Sequence, residues 1–304
     1  MKTYLDCIPC FFRQALEAAT LAGSTPRAKK KVLDHLAKRF PDYPMSTPPP
    51  EMGRIIYQLV ARLTGKKDPY WEAKQKSNGL ALRILPKLRA KVRASKDPLL
   101  TAVKLSIAGN IIDYGVKNTL NVQKELQRIL SEEEKTIRRE KKRLFDYPRF
   151  KERVKRAKTI LILGDNAGEV VFDRLLIEEI HTLGKKRILY AVKEKPIIND
   201  ATREDAFTCG LDRVSEVISS GSDAPGTVRH RCSKEFLKII PKVDMVLSKG
   251  QGNFEALDWL KRPVFFLFMA KCPVVTREVG CDIGDIILLY RPAQSLRKKR
   301  KRGK

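Results

Sequence analysis

The sequence predicts an α/β fold in which a helical N-terminal domain precedes a doubly wound, mainly parallel sheet. Three observations predict it. Apolar residues recur at helical spacing through the first half of the chain. From Thr159 onward, short β-branched runs alternate with helical stretches. The loops after those runs collect glycines, amides, carboxylates and lysines.

Each element follows in order. Phe11 to Leu21 is an apolar-rich helical stretch after a Cys7-Ile8-Pro9-Cys10 turn. Arg27 to Phe40 spaces Val32, Leu33, Leu36 and Ala37 as one helix face. Five prolines between Pro41 and Pro50 predict a loop, because proline has no N–H to donate and clashes inside a helix. Met52 to Leu63 resumes the helical pattern, and Asp68-Pro69 opens another helix running through Leu80, Leu82 and Leu85. Asp97-Pro98 starts a further helix with Leu99, Leu100, Val103 and Ile107 on one face, leading to Ala108-Gly109-Asn110. Ser131 to Glu134 places acids before bases that follow through Arg143, the order a helix macrodipole favours.

Near residue 150 the period changes. Thr159 to Leu163 is a continuous apolar run, as a strand buried on both faces requires. Further strands are expected at Arg187 to Val192, Val214 to Ile218, Val243 to Leu247, Val264 to Phe268 and Ile286 to Leu289. Helices are expected between them at Glu169 to Leu183, Asp200 to Cys209, Gly226 to Ile240, Asn253 to Leu260 and Pro273 to Gly280. The division is a helical domain over 1–150, a Rossmann-like domain over 151–291 and a basic, disordered tail over 292–304.

Composition bounds the function. The chain has 304 residues, 42% of them hydrophobic, which excludes a wholly disordered chain. No apolar run approaches the roughly 18 residues of a membrane span, and the N-terminus lacks a signal-peptide pattern, so a cytoplasmic protein without a membrane partner is expected. Six cysteines are too sparse for a disulfide scaffold. Cys7 and Cys10 form a Cys-x-x-Cys pair with no second such pair, which leaves buried thiols, a disulfide and a metal half-site open. The net charge is +27, and seven of the bases fall in the last twelve residues. That tail offers nucleic acid a non-specific contact, but no zinc-finger spacing or RNA-binding signature accompanies it.

Ligands of an open α/β sheet bind at the carboxyl ends of its strands. The first expected strand ends in Gly164-Asp165-Asn166-Ala167-Gly168-Glu169, the second leads to Asn199-Asp200, and the fourth ends in Lys249-Gly250-Gln251-Gly252-Asn253-Phe254-Glu255. Asp165, Asn166 and Asp200 are hard oxygen donors of the kind Mg²⁺ and related divalent ions prefer. Lys249, with glycines at a helix start, suits an anionic phosphate. Neither a dinucleotide fingerprint nor a Walker sequence is present. A cation beside a glycine-rich anion site suits phosphoryl transfer.

With those stretches, Cys7 to Cys10, Ala108-Gly109-Asn110-Ile111-Ile112-Asp113, Pro196 to Thr202 and Ala270-Lys271-Cys272-Pro273 complete a set of separated motifs. Together they resemble the metal-dependent damage-control phosphatases once called domain of unknown function 89, in their short stand-alone form. The resemblance implies hydrolysis of phosphomonoesters of small metabolites, such as sugar phosphates or phosphopantetheine relatives. It implies a divalent ion (Mg²⁺, Mn²⁺, Co²⁺ or Ni²⁺) ligated by Asp165, Asn166 and Asp200. In the mechanism expected on this basis, Asp165 and Lys249 are catalytic. Asn110, Asp113, Gly250, Asn253 and Glu255 bind substrate. The rival readings are a non-catalytic nucleic-acid-binding protein, which gives no reason for acids and amides to gather at strand ends, and a methyltransferase, which would need an adenosine site.

Overall fold

The computed structural model describes residues 1–109 and 144–293. Asn110, Asp113, the stretch from Ser131 to Arg143 and the tail beyond Ala293 lie outside the described residues.

Among the described residues, five helices precede positions 110–143. Helix α1 (Cys7–Leu21) begins at Cys7, so the Cys-x-x-Cys pair forms its first turn, with Pro9 where a helix needs no N–H. Helix α2 (Pro26–Arg39) is capped by the Thr25 side chain, which accepts from Ala28 N, and ends in Lys38 and Arg39. Helix α3 (Pro49–Thr64) starts inside the proline run, earlier than expected. Pro49 and Pro50 occupy its first turn, where fixed φ helps and no donor is lost. Gly65, at φ 73°, ends it in the left-handed region. Helix α4 (Trp71–Arg93) follows. Helix α5 (Pro98–Ala108) is capped by Asp97, which accepts from Leu100 N. Almost the whole circumference of α5 is buried, not one face alone, and it includes Lys104 and Ser106.

The sheet has six strands: β1 (Thr159–Leu163), β2 (Arg187–Val192), β3 (Glu216–Ser219), β4 (Met245–Lys249), β5 (Val264–Met269) and β6 (Ile286–Arg291). Their order is β3-β2-β1-β4-β5-β6. All neighbours are parallel except β5 and β6. The mixed α/β class and the mainly parallel sheet are as the sequence predicts. Leu161 pairs with Leu189 on one side and Val246 on the other, so β1 is central. The chain winds outward from β1 toward β3 and from β4 toward β6. The order therefore reverses between β1 and β4, and the crevice at their carboxyl ends is the switch point where such sheets bind ligands.

Alternate residues of each strand feed two cores. Ile160, Ile162, Tyr190, Leu247 and Phe265 face α4, α5, α6 (Tyr147–Arg156) and α7 (Glu169–Thr182). Leu161, Leu189, Val246 and Phe266 face the opposite layer, with Phe236 and Leu257. A third cluster joins α1, α2 and α3 through Phe11, Val32, Leu36 and Ile56, and takes in Ile197 from the segment after β2. The N-terminal helices thus reach the strand ends directly.

Two boundaries move for identifiable reasons. β4 begins at Met245, not Val243, because the Asp244 carboxylate accepts from Lys158 N and Thr159 N at 2.9 and 2.8 Å and pins the start of β1. The helix expected over 226–240 shrinks to α9 (Lys234–Ile239), which follows α8 (Arg203–Thr208) in the chain. Ser233 caps α9 by accepting from Phe236 N, and Gly226 at φ 83° keeps the preceding segment irregular. After β4 and β5 come α10 (Gln251–Ala256) and α11 (Pro273–Val279).

Candidate active site

The loops after β1 and β2 pair with each other. Ala167 N donates to Asn199 O at 2.8 Å and Ala201 N donates to Asp165 O at 2.7 Å, which forms an antiparallel bridge between Asn166 and Asp200. Two segments more than thirty residues apart are so brought together, with Asp165, Asn166 and Asp200 in one place. All three are buried. Asn166 Nδ2 donates to Asp165 Oδ2 at 3.0 Å, and Lys193 Nζ lies 3.5 Å from Asp200 Oδ2. The turn that delivers Asp200 is strained. Ile198 has φ 47°, a region β-branched residues avoid, and is held there by packing against the α1–α3 cluster.

Gly250, the first residue after β4, forms the floor. Its φ is 76°, and a Cβ built on it would lie 1.9 Å from Asp165 Oδ2. Only a residue without a side chain admits the carboxylate there. Gly250 N is committed to Leu267 O at 3.0 Å.

Lys249 is completely buried, and its three donors are engaged. Nζ donates to Ser106 O and pairs with Asp173 Oδ1, each at 2.8 Å, and it pairs with Glu169 Oε1. Burial opposes the ammonium charge, but Asp173 and Glu169 outweigh it and hold Lys249 above its ordinary pKa. Asp173 also accepts from Ser106 Oγ and Tyr190 OH, both at 2.6 Å. Burial pushes the Glu169 carboxyl up, Asp165 and Asp173 push it further, and Lys249 opposes them. The Tyr190 phenol is raised well above 10 by burial and by Asp173, so it stays neutral.

Asn253, expected to bind substrate, is fully buried with its amide engaged inside the protein. Its Oδ1 accepts from Thr227 Oγ1 at 2.7 Å, while Nδ2 donates to Lys249 O and Gly164 O at 2.8 and 3.1 Å. Glu255 is half-buried, with Oε1 accepting from Gln251 Nε2 at 2.8 Å and its carbonyl taking the N-terminal ammonium at 2.6 Å. The two substrate contacts expected from the helical part, Asn110 and Asp113, lie outside the described residues.

Sequence reasoning missed Ser106, Asp173, Tyr190 and Asn78 as parts of this region; it placed Lys193 on the rim at the end of the second strand but gave it no role. A signal existed for Asp173: it stands one helical turn after Glu169 on a helix otherwise apolar at those positions, so two carboxylates share one buried face. The others are single polar residues whose burial only the tertiary structure reveals.

Asp165, Glu169, Asp173 and Asp200 bring four carboxyl groups to this region, and Lys193 and Lys249 bring two ammonium groups, all of them buried. Burying carboxylates is costly, and a cation seated beside Asp165 and Asp200 would lower that cost. Among the described residues, no three His, Cys, Asp or Glu side chains gather closely enough to hold a metal by themselves. The set here differs by including an amide, and two carboxylates with an amide are donors that hard divalent ions accept.

The profile of the damage-control phosphatase ARMT1-like domain matches residues 3–287. A damage-control phosphatase of Pyrococcus horikoshii is 33% identical over 292 residues, covering 95% of this chain and 98% of that protein. The crystal structure of a DUF89 family protein from the same organism superposes with a TM-score of 0.84 at 32% identity, covering 95% of this chain and 99% of that one. A mouse 4'-phosphopantetheine phosphatase is 31% identical over 147 residues, 46% of this chain and 18% of that protein. On a match of this extent, the chain belongs to the damage-control phosphatase family with the ARMT1-like domain.

Proposed function

We propose that the chain hydrolyses phosphomonoesters of small metabolites with the help of a divalent cation held by Asp165, Asn166 and Asp200. The observation that supports this reading is the meeting of two carboxylates and an amide, Asp165, Asn166 and Asp200, on a pair of loops joined by their own hydrogen bonds at the switch point of the sheet. Held by these three side chains, a divalent cation would supply Lewis-acid neutralisation of phosphate charge.

The chain's own residues then take the following parts. Asp165 and Asp200 supply charge, and Asn166 supplies a neutral oxygen while its amide orients Asp165. Gly250 keeps the approach to Asp165 open. The first-turn N–H groups of α10, which a helix does not use internally, stabilise charge growing on the phosphoryl oxygens. Lys249 acts as a positioning cation that fixes Glu169 and Asp173 beneath the loop. Water supplies the new P–O bond, and the ester oxygen leaves with a proton as the alcohol. The relative named for phosphopantetheine favours a substrate class that includes phosphopantetheine derivatives beside sugar phosphates. In the cell we place the protein in the cytoplasm.

A phosphate-release screen over a panel of phosphometabolites, with and without Mg²⁺, Mn²⁺, Co²⁺ and Ni²⁺, tests the proposal. Metal-dependent release that disappears in Asp165→Ala supports it. No release with any ion, or full metal-dependent activity in Asp165→Ala, refutes it.

A further inference from the structure

We propose that Asn78, in the middle of α4, is a positioning residue that holds the two ion-binding loops at their working separation. The inference rests on the ion site proposed above. Asn78 lies far from that site in sequence and 1% exposed in the fold. Both ends of its amide are used. Oδ1 accepts from Gly168 N at 2.6 Å, on the loop that carries Asp165 and Asn166. Nδ2 donates to Asp205 Oδ1 at 2.9 Å, in the helix that follows the loop carrying Asp200.

Each contact sits at a point where the loop is turned into a helix. Gly168 is the residue before α7, at φ 77°, and no side chain caps that helix start from within its own loop. Asp205 is the third residue of α8 and closes a capping box: its Oδ2 accepts from Thr202 N at 2.9 Å and Thr202 Oγ1 at 2.8 Å. Thr202 pairs in turn with Lys193, at the end of β2. On the other side the loops are joined by the backbone bridge of Asn166 and Asp200. One backbone bridge and one side-chain amide therefore span the same gap. The bridge fixes the loops at the ligands, and Asn78 fixes them where they enter their helices.

The same turn of α4 carries a second link. Lys74, four residues before Asn78, is 3% exposed and pairs with Asp68 Oδ2 at 2.8 Å and Asp205 Oδ2 at 3.6 Å. Asp205 is thus held by a cation and an amide from one helix face. The amide is the better choice for the bridging position because it alone offers an acceptor to Gly168 and a donor to Asp205. A carboxylate would repel Asp205, and an aliphatic residue would leave both groups unsatisfied in the interior. Groups that orient ligands in this way typically change metal affinity by about 10- to 100-fold when removed.

The test is titration of Mn²⁺ alone into the full-length protein by calorimetry, well below each variant's unfolding temperature, with unfolding followed separately in chelator. Asn78→Asp keeps the acceptor for Gly168 and loses the donor to Asp205. It is expected to bind Mn²⁺ about 10- to 100-fold more weakly than the wild type. The double variant Asn78→Asp with Asp205→Asn exchanges donor and acceptor and conserves net charge. It is expected to recover most of that affinity. If the single variant loses thermal stability but binds Mn²⁺ as tightly as the wild type, Asn78 is only a core residue and the inference fails. Failure of the exchange to restore affinity also overturns it. A wild type that does not bind Mn²⁺ at all would overturn the ion site itself, a result distinct from the other two.

Discussion

Gly250 and Asp165 approach so closely that a single methyl group on the former would overlap the carboxylate of the latter, at 1.9 Å from Oδ2. The contact joins the ends of β1 and β4 at the point where the sheet order reverses. It makes glycine a requirement of the site on two counts, since φ is also 76°.

Gly250→Ala should therefore displace Asp165 while leaving the fold in place. The strained φ costs more than about 1 kcal/mol of stability. The functional effect is larger: metal-dependent phosphatase turnover should fall by about 10²-fold, the scale of losing one preorganised electrostatic contact. Circular dichroism and steady-state kinetics on the same preparation check both parts. Unchanged turnover would show that Asp165 tolerates movement and takes no part in the reaction.

Lys249 presents a different case. The sequence expectation put its ammonium against a phosphoryl group, but the fold gives all three donors to Ser106 O, Glu169 and Asp173. Lys249→Met leaves two buried carboxylates without their shared cation. Breaking a buried pair on one side costs about 3–5 kcal/mol. Urea unfolding at neutral pH should show a loss of that size, and Glu169→Gln added to Lys249→Met should recover part of it. A loss below the scale of a surface substitution, about 0.5 kcal/mol, would contradict the buried arrangement.

Tyr190 supports the same cluster from β2. Its hydroxyl donates to Asp173 Oδ2 at 2.6 Å, and its ring packs against Gly164, where a Cβ would lie 2.6 Å from the ring. Tyr190→Phe keeps the ring and removes one hydrogen bond to a charged group, worth about 1.5–3 kcal/mol. Stability should fall by that amount while Mn²⁺ affinity stays at the wild-type level. A collapse of Mn²⁺ affinity would mean that Asp173 is coupled to the ligand loops more tightly than its contacts imply.

The strands and two of the proposed ligands, Asp165 and Asn166, were legible in sequence because local signals carry them. The continuous apolar run of β1 and the Gly-Asp-Asn turn behind it each lie within a few residues. Asp200 was legible only through the rule that strand ends share a rim. What stayed hidden depends on distant partners. Nothing near Asn78 signals Gly168 or Asp205, and nothing near Ser106 signals Asp173. The glycine-rich turn of Asn253 resembles an anion site in sequence, and its amide partners Thr227, Lys249 and Gly164 were likewise invisible there. The start of α3 was misplaced for a related reason: a proline run excludes helix interior but not helix start.

Glu255 gives the chain a pH-dependent stability whose sign follows from its environment. Burial raises its carboxyl from 4.5 to about 7, against the opposing hydrogen bond from Gln251 and the nearby N-terminal ammonium. Between those two values the folded chain holds a proton that the unfolded chain has released. Its contribution to stability is present in full below the unfolded value and is lost as pH rises through about 7. Glu255→Gln removes the titration while keeping a side chain that can accept from Gln251. Relative to the wild type, the variant should gain stability as pH is raised from 5 to about 8. Urea unfolding of both proteins across that range checks it, and parallel stability curves would show that Glu255 titrates normally in the folded chain.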